Sequence, residues 1–365
     1  MKLYIISFTL GGLQLSRRLA YKLEKKGWPQ TRIFTKCRAA KEECIESRGS
    51  NDESAPGFIS FVEESIGEWA ALGMEKGYGL LFIGACGIAV RAIAPSIRDK
   101  LWDSPVLVMD EKGSYVIPLL SGHVGGANEL AALLAEVMGA RPVITTATDI
   151  HGRFAVDLFA KRNQLYLENK EGIALISSKV LAGESVTFSI EPGHMKSDSL
   201  LPAELCPVPY PPADKADILV TAQKNEARGR IILRPREYVL GMGCRKGKEA
   251  GEIEAFIEEV LEEVGIQAYQ LYALASIQLK KEEPGFLAFS RKKGIDFLTF
   301  SVEELKQVGG ALSASAFVEN TVGVDNVCER AALKACGQEG RLVMKKLARD
   351  GMTMAIAKKG WRVEF

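Results

Sequence analysis

Tyr115-Val-Ile-Pro-Leu-Leu-Ser-Gly-His-Val-Gly-Gly-Ala-Asn-Glu-Leu-Ala-Ala-Leu-Leu-Ala-Glu-Val-Met138 opens as a strand, breaks at a glycine-rich turn and resumes as a helix. Tyr115-Val116-Ile117 is the strand, and from Glu129 to Met138 the leucines and the valine recur on one helical face. A strand handed directly to a helix is the repeating unit of α/β proteins. The turn carries His123, Gly125 and Gly126. There His123 stands ahead of a helix N-terminus, where backbone N–H groups favour an anion or developing negative charge, and imidazole moves a proton near neutral pH. The same residues also suit a plain tight turn whose glycines only permit positive φ, with His123 hydrogen-bonded nearby. This stretch by itself leaves both readings standing.

The pattern around it repeats the alternation. Leu3-Tyr-Ile-Ile-Ser-Phe8, a helix over 13–25, Arg32-Ile-Phe34, a helix over 58–76 and Leu80-Leu-Phe-Ile83 predict a parallel sheet with crossovers. Val106-Leu-Val-Met109 and Tyr115-Val-Ile117, split by Asp110-Glu-Lys-Gly113, read as an added hairpin, and Pro142-Val-Ile-Thr145 as a further strand. Helices near 153–163 and 171–182 and strands at 186–190 and 217–220 follow. The five prolines of 202–212 call for an extended, stiff connection. A third block opens at Tyr238-Val-Leu-Gly-Met-Gly-Cys-Arg-Lys-Gly247 with a helix over 249–264 and strands at 270–276, 297–300, 342–347 and 353–358. The fold class is therefore α/β: a mainly parallel N-terminal domain over 1–150, a small α/β connector module over 151–235, and a C-terminal three-layer αβα domain over 236–365.

The bulk numbers exclude several functions. Lys plus Arg number 47 against 46 Asp plus Glu, a net charge of +1, which argues against a nucleic-acid or anionic-membrane surface. The longest uncharged apolar stretch, Gly77 to Val90, is 14 residues with four glycines and ends at Arg91, too short to cross a bilayer. Leu3 to Leu15 reads as a first strand, because no cleavage site follows and Gly11-Gly12 interrupts it. Seven cysteines without a C-x-x-C pair suit reduced thiols in a cytoplasm. Three histidines and no clustered ligands give no protein metal site.

Five further stretches could carry chemistry. Gly84-Ala-Cys-Gly-Ile-Ala-Val-Arg91 follows an apolar strand, so Gly84 and Gly87 sit at a carboxyl edge and Arg91 could clamp a carboxylate; a helix-surface arginine is the competing reading. Cys86 has no basic neighbour in sequence and reads as an unreactive thiol. Thr145-Thr-Ala-Thr-Asp-Ile-His-Gly-Arg153 places Asp149, His151 and Arg153 close together, as an orienting carboxylate beside an imidazole or as a helix cap. Gly241-Met-Gly-Cys-Arg-Lys-Gly247 lacks the third glycine of a dinucleotide fingerprint, since Lys246 stands there; its glycines with Gly243, Arg245, Lys246 and Lys248 suit a carboxylate or phosphate better, against a solvated basic turn. Ser276, Lys280 and Glu283 after one strand, and Glu329 and Arg330 on a later helix, read singly as caps and solvated faces. His194, in a plain turn, receives no role.

Taken together, Gly84-Ala-Cys-Gly-Ile-Ala-Val-Arg91, Leu120-Ser-Gly-His-Val-Gly-Gly-Ala-Asn128, Gly241-Met-Gly-Cys-Arg-Lys-Gly247, Ala275-Ser-Ile to Lys280, Glu283-Pro-Gly285 and Val324-Asp-Asn-Val-Cys-Glu-Arg-Ala-Ala-Leu333 resemble the CbiG family, the cobalt-precorrin-5A hydrolases, with a C-terminal part similar to CobE. The family commonly carries Asp where Gln278 stands. The resemblance covers nearly the whole chain. It implies opening of the ring A δ-lactone by water, then fragmentation that releases acetaldehyde and contracts the macrocycle to give cobalt-precorrin-5B. It implies no resident cofactor, cobalt arriving inside the tetrapyrrole. His123 with the N–H groups of Gly125 and Gly126 would supply base and oxyanion donors. The substrate-binding set drawn from the loops is Gly84, Gly87, Arg91, Ser121, Asn128, Asp149, Arg153, Gly243, Arg245, Ser276 and Glu283, with Arg91, Arg153 and Arg245 meeting the ring's acetate and propionate groups. The expected partner is the cobalt tetrapyrrole, with other cobalamin-pathway enzymes and further copies of the chain admitted, no nucleic acid and no membrane. The rival readings are a non-catalytic tetrapyrrole carrier and an enzyme that binds a nucleotide or phosphometabolite through the loops at 84 and 125.

Overall fold

A computed structural model describes residues 1–28, 31–42, 44, 58–99, 103–122, 125–146, 152–245, 247–309 and 325–365. The chain forms two compact units, Met1–Arg153 and Phe154–Phe365.

In the first unit the strands are β1 (Leu3–Ser7), β2 (Thr31–Thr35), β3 (Ile59–Phe61), β4 (Gly79–Ile83), β5 (Val106–Met109), β6 (Tyr115–Leu120) and β7 (Arg141–Pro142). The helices are α1 (Leu10–Lys25), α2 (Ile66–Glu75), α3 (Cys86–Ile93) and α4 (Ala127–Met138). One sheet runs β3-β2-β1-β4-β5-β6-β7. All of β4 is buried, as expected of a central strand covered on both faces. One face packs α1 and α4 through Leu15, Leu19, Leu23, Leu130 and Leu134; the other packs α2 and α3 through Trp69, Ala70, Ala89 and Ile93.

The helix expected over 58–76 is instead a short strand followed by α2. Ser65 caps α2 by accepting from the Glu68 N–H at 3.2 Å, and the Glu68 carboxylate accepts from the Ser65 N–H at 2.8 Å. This Ser-x-x-Glu capping box starts the helix there and frees Ile59–Phe61 to pair with β2. The strand read at 142–145 is shorter than expected, only Arg141–Pro142.

All neighbours in this sheet are parallel except β5 and β6, which pair antiparallel with Val106 opposite Leu120 and Met109 opposite Val116. The turn between them is held by Asp110, whose Oδ1 accepts from the N–H groups of Ser114 and Tyr115. Because β6 is reversed, its carboxyl end lies beside the amino ends of β4 and β5.

In the second unit α5 (Val156–Arg162) and α6 (Gly172–Ala182) accompany β8 (Leu165–Leu167), β9 (Val186–Ile190), β10 (Leu205–Pro207), β11 (Ala216–Val220) and β12 (Gly229–Pro235). Their sheet order is β10-β9-β11-β12-β8. The proline-rich stretch supplies β10 at the sheet edge, where a missing N–H costs no ladder bond. A second sheet in this unit runs β15-β14-β13-β17-β16, from β13 (Tyr238–Cys244), β14 (Leu271–Ile277), β15 (Asp296–Phe300), β16 (Arg341–Arg349) and β17 (Met352–Lys358). Helices α7 (Ala250–Glu263) and α8 (Pro284–Lys293) cover one face, and α9 (Val302–Lys306) and α10 (Val327–Cys336) the other, giving three layers.

Candidate functional site

The glycine turn after β6 is built by close backbone approach. A Cβ on Gly125 would overlap that of Ser121 and lie 2.7 Å from the Ser121 carbonyl, so only glycine fits. Gly126 caps α4 at φ +85°, in the left-handed region glycine favours. The expectation of open N–H groups at this helix start holds only in part. The Ala127 N–H donates to Ser121 O at 3.1 Å and the Asn128 N–H to Gly122 O at 2.9 Å. The Gly125 and Gly126 N–H groups make no hydrogen bond among the described residues. Asn128 is buried, donates through Nδ2 to Thr146 Oγ1 at 3.0 Å, and so ties the turn to the segment after β7.

Ser121 is the residue that stands out. Its φ is +55°, rare outside glycine, and its buried Oγ has no hydrogen-bond partner among the described residues. Strained backbone and an unsatisfied buried hydroxyl both cost stability, and such features gather where a ligand supplies the missing contact. His123, Asp149 and His151 lie outside the described residues. Arg153 is exposed, beyond the same segment.

Gly84 and Gly87 follow β4 at the other edge of the sheet. A Cβ on Gly84 would stand 3.0 Å from the Phe8 ring. Arg91 is exposed and folds back over the first turn of α3, its Nη1 3.4 Å from where a Gly87 Cβ would be. Arg91 forms no salt bridge with the described residues. The antiparallel turn into β6 therefore separates two loops that the sequence reading placed in one class of position. They are a strand's length apart, on the order of 13 Å at about 3.3 Å per residue.

The remaining candidates lie at the carboxyl edge of β13 and β14. Gly243 faces Thr353, whose Oγ1 would be 2.8 Å from an added Cβ. The Arg245 N–H donates to Gly351 O at 2.9 Å, and its side chain lies against Gly351. Ser276 is fully buried and donates to Met242 O at 2.7 Å, joining β14 to β13. Glu283 begins α8 and accepts from Lys280 Nζ at 2.7 Å. Burial alone would lower the Lys280 pKa, but Glu283 and Cys244 outweigh it and hold the ammonium charged. Burial pushes the Cys244 thiol up, which disfavours the thiolate.

Sequence reasoning took Glu329 for a solvated face, yet it is fully buried and its Oε1 accepts from the Lys346 N–H at 2.7 Å. Asn326, also buried, caps α10 by accepting from the Glu329 N–H at 3.0 Å. The signal that could have found them is Gly241. A Cβ there would overlap the Cys328 carbonyl, so the first turn of α10 presses onto β13 and hides its polar residues.

Among the described residues no group of three His, Cys, Asp or Glu side chains could hold a metal ion. Among them, too, no helix is long and apolar enough to cross a membrane.

Two family models match the chain, Cobalamin synthesis G N-terminal over residues 69–149 and Cobalamin synthesis G C-terminus over residues 238–357. A cobalt-precorrin-5A hydrolase of Priestia megaterium is 34% identical over 97% of this chain and 94% of its own. That of Salmonella typhimurium is 31% identical over 96% of each. Among solved structures, a cobalamin biosynthesis protein G homolog from Sulfolobus solfataricus is 21% identical, with a TM-score of 0.41 over 98% of this chain and 97% of its own.

Proposed function

The chain belongs to the CbiG family of cobalt-precorrin-5A hydrolases, and from that premise we propose that it opens the ring A δ-lactone of cobalt-precorrin-5A with water and releases acetaldehyde. The observation that carries this reading is the 34% identity over 97% of the chain. Cobalt belongs to the substrate, and we propose no resident cofactor.

Lactone hydrolysis needs a base for water and donors for the oxyanion that forms on the carbonyl oxygen. In this reading His123 takes the proton from water as oxygen bonds to the acyl carbon. The Gly125 and Gly126 N–H groups receive the negative charge. Collapse breaks the acyl–oxygen bond, leaving a carboxylic acid on ring A and an alkoxide on the meso carbon. The alkoxide then forms a carbonyl as its carbon–carbon bond to the ring breaks, which expels acetaldehyde; the bonding pair passes into the conjugated macrocycle, which takes up the proton that His123 removed from water. The unsatisfied Ser121 hydroxyl, in the same turn as Gly125, supports this placement, because a substrate oxygen would complete its hydrogen bonding. Arg91, Arg153 and Arg245 remain our proposals for ring carboxylates.

No disulfide joins the cysteines of the described residues, which supports a reducing, cytoplasmic setting. Other enzymes of cobalamin synthesis and further copies of the chain are the protein partners of this reading.

Mixing the pure protein with cobalt-precorrin-5A and assaying acetaldehyde tests the proposal. Stoichiometric aldehyde is expected, whereas tight binding without aldehyde would make the protein a carrier. His123→Ala should lose at least about two orders of magnitude in rate, the usual loss when a general base is removed, while substrate binding is retained. Near-normal turnover of that variant removes His123 from the role.

A further inference from the structure

In the second unit a cavity of about 610 Å³ opens beside the carboxyl-terminal segment. Its size falls in the range of roughly 300–1,000 Å³ of small-molecule sites. Five cations line it, Arg162, Lys196, Arg236, Lys359 and Arg362, against three carboxylates. In a chain of net charge +1 this is a local excess of positive charge.

Two of the carboxylates are already engaged. Glu364 pairs with Lys196, and Glu339 with Arg362 at 3.1 Å. Arg236 and Lys359, in contrast, form no salt bridge with the described residues. Among the described residues the Arg236 side chain donates one hydrogen bond, from Nη1 to Gly294 O at 2.8 Å, which leaves most of its five N–H donors unused by them. Burial destabilises its charged form. Lys359 lies over the Tyr272 ring, 3.5 Å from the centroid. Asp296 supports the Arg236 charge without forming a salt bridge with it, so the partly desolvated guanidinium gains from a further carboxylate, the partner that matches its fork.

These two cations are neighbours by construction. The Lys359 N–H donates to Glu237 O at 2.8 Å, so the pairing of β13 with β17 continues and brings residues 236 and 359 to the same end of the sheet. Trp361 lines the cavity as well. The His194 ring stacks on it at 3.7 Å and 4°, and His194 Nδ1 donates to Trp361 O at 2.9 Å. The wall beside the cations is thus a fixed aromatic surface, suited to the flat apolar body of a ligand whose edge carries the acids.

We propose that this cavity binds the carboxylate-bearing edge of a tetrapyrrole, with Arg236 and Lys359 pairing its acids and Trp361 against the macrocycle. The choice of ligand rests on the reaction proposed above; the demand for a polycarboxylate comes from the cavity itself.

The test uses the full chain and uroporphyrin, an octacarboxylate macrocycle, titrated by calorimetry and by Trp fluorescence, with Trp361→Phe to identify the reporting residue. Arg236→Gln combined with Lys359→Gln should weaken binding at least tenfold, about 1.4 kcal/mol, with an unchanged thermal melt, and Arg236→Lys with Lys359→Arg should restore much of it. Benzenehexacarboxylate, which has the acids without the macrocycle, should compete more weakly than uroporphyrin. Equal uroporphyrin affinity in the wild type and the Gln double variant overturns the proposal, as does equal competition by the hexacarboxylate, which would mark a general anion site. Acetaldehyde release separates this idea from the reaction. A wild type that binds uroporphyrin through these cations but yields no aldehyde refutes the reaction alone. Normal turnover with unchanged KM and unchanged uroporphyrin affinity in the double variant refutes the cavity alone.

Discussion

Ser121 joins two costs that a folding sequence would avoid, a left-handed φ of +55° and a buried hydroxyl without a partner among the described residues. Ser121→Gly separates them. Glycine relieves the backbone, which costs a non-glycine residue roughly 1–2 kcal/mol, and gives back part of that in chain entropy. Stability should stay level or rise by up to about 1 kcal/mol in a thermal melt. The hydroxyl is lost at the same time, and kcat/KM for acetaldehyde release should fall about tenfold, the worth of one good hydrogen bond. An unchanged kcat/KM would make Ser121 a structural curiosity of the turn. None of this was visible in the sequence beyond the presence of Ser121 in the motif. Hydroxyl satisfaction and φ are set by how Gly125 folds onto it, and no spacing rule reports that.

Among the elements, α10 against β13 is the contact most exposed to a single change. Gly241→Ala would drive a methyl group into the Cys328 carbonyl, so α10 must shift, and stability should drop by about 1–3 kcal/mol with a lower Tm. An unaltered Tm would mean the two elements slide freely. The pair β9 and β11 depends instead on charge. Burial pushes the Asp217 carboxyl up, but hydrogen bonds from Lys179, the Thr187 N–H and the Thr187 hydroxyl outweigh it and hold its pKa below the usual value. The lowered folded pKa means stability is present above the unfolded value of about 3.9 and fades as pH falls below it. Asp217→Asn should therefore melt lower at pH 7 and show a shallower loss of stability between about pH 4 and 2. Identical acid limbs in the two proteins would exclude Asp217 from the linkage. The helix expected over 58–76 gives way to a strand and a shorter helix because an apolar run fits both alike, and the Ser65 and Glu68 cap decides between them.

At the scale of the molecule, the second unit holds two sheets and their helices, each with its own core. We propose that the module over 151–235 and the domain over 236–365 are the modular divisions within and beside it. A fragment of residues 154–365 should fold by itself, with a sharp near-ultraviolet dichroism spectrum and a cooperative melt. A fragment without fixed aromatic signals would show that its cores need the first unit. Alternation of strand and helix settled the α/β class and the parallel sheet, because each element's period is local and needs only its own side chains. The motifs settled the family for the same reason, being short runs of ordered residues. Which loops share an edge was decided elsewhere. The antiparallel pairing of β5 with β6 sends the Ser121 turn to the edge opposite Gly84, and strand direction within a sheet is fixed by hydrogen bonding between segments distant in sequence. The desolvation of Arg236 likewise exists only after folding, since burial is a property of packed neighbours rather than of the residue.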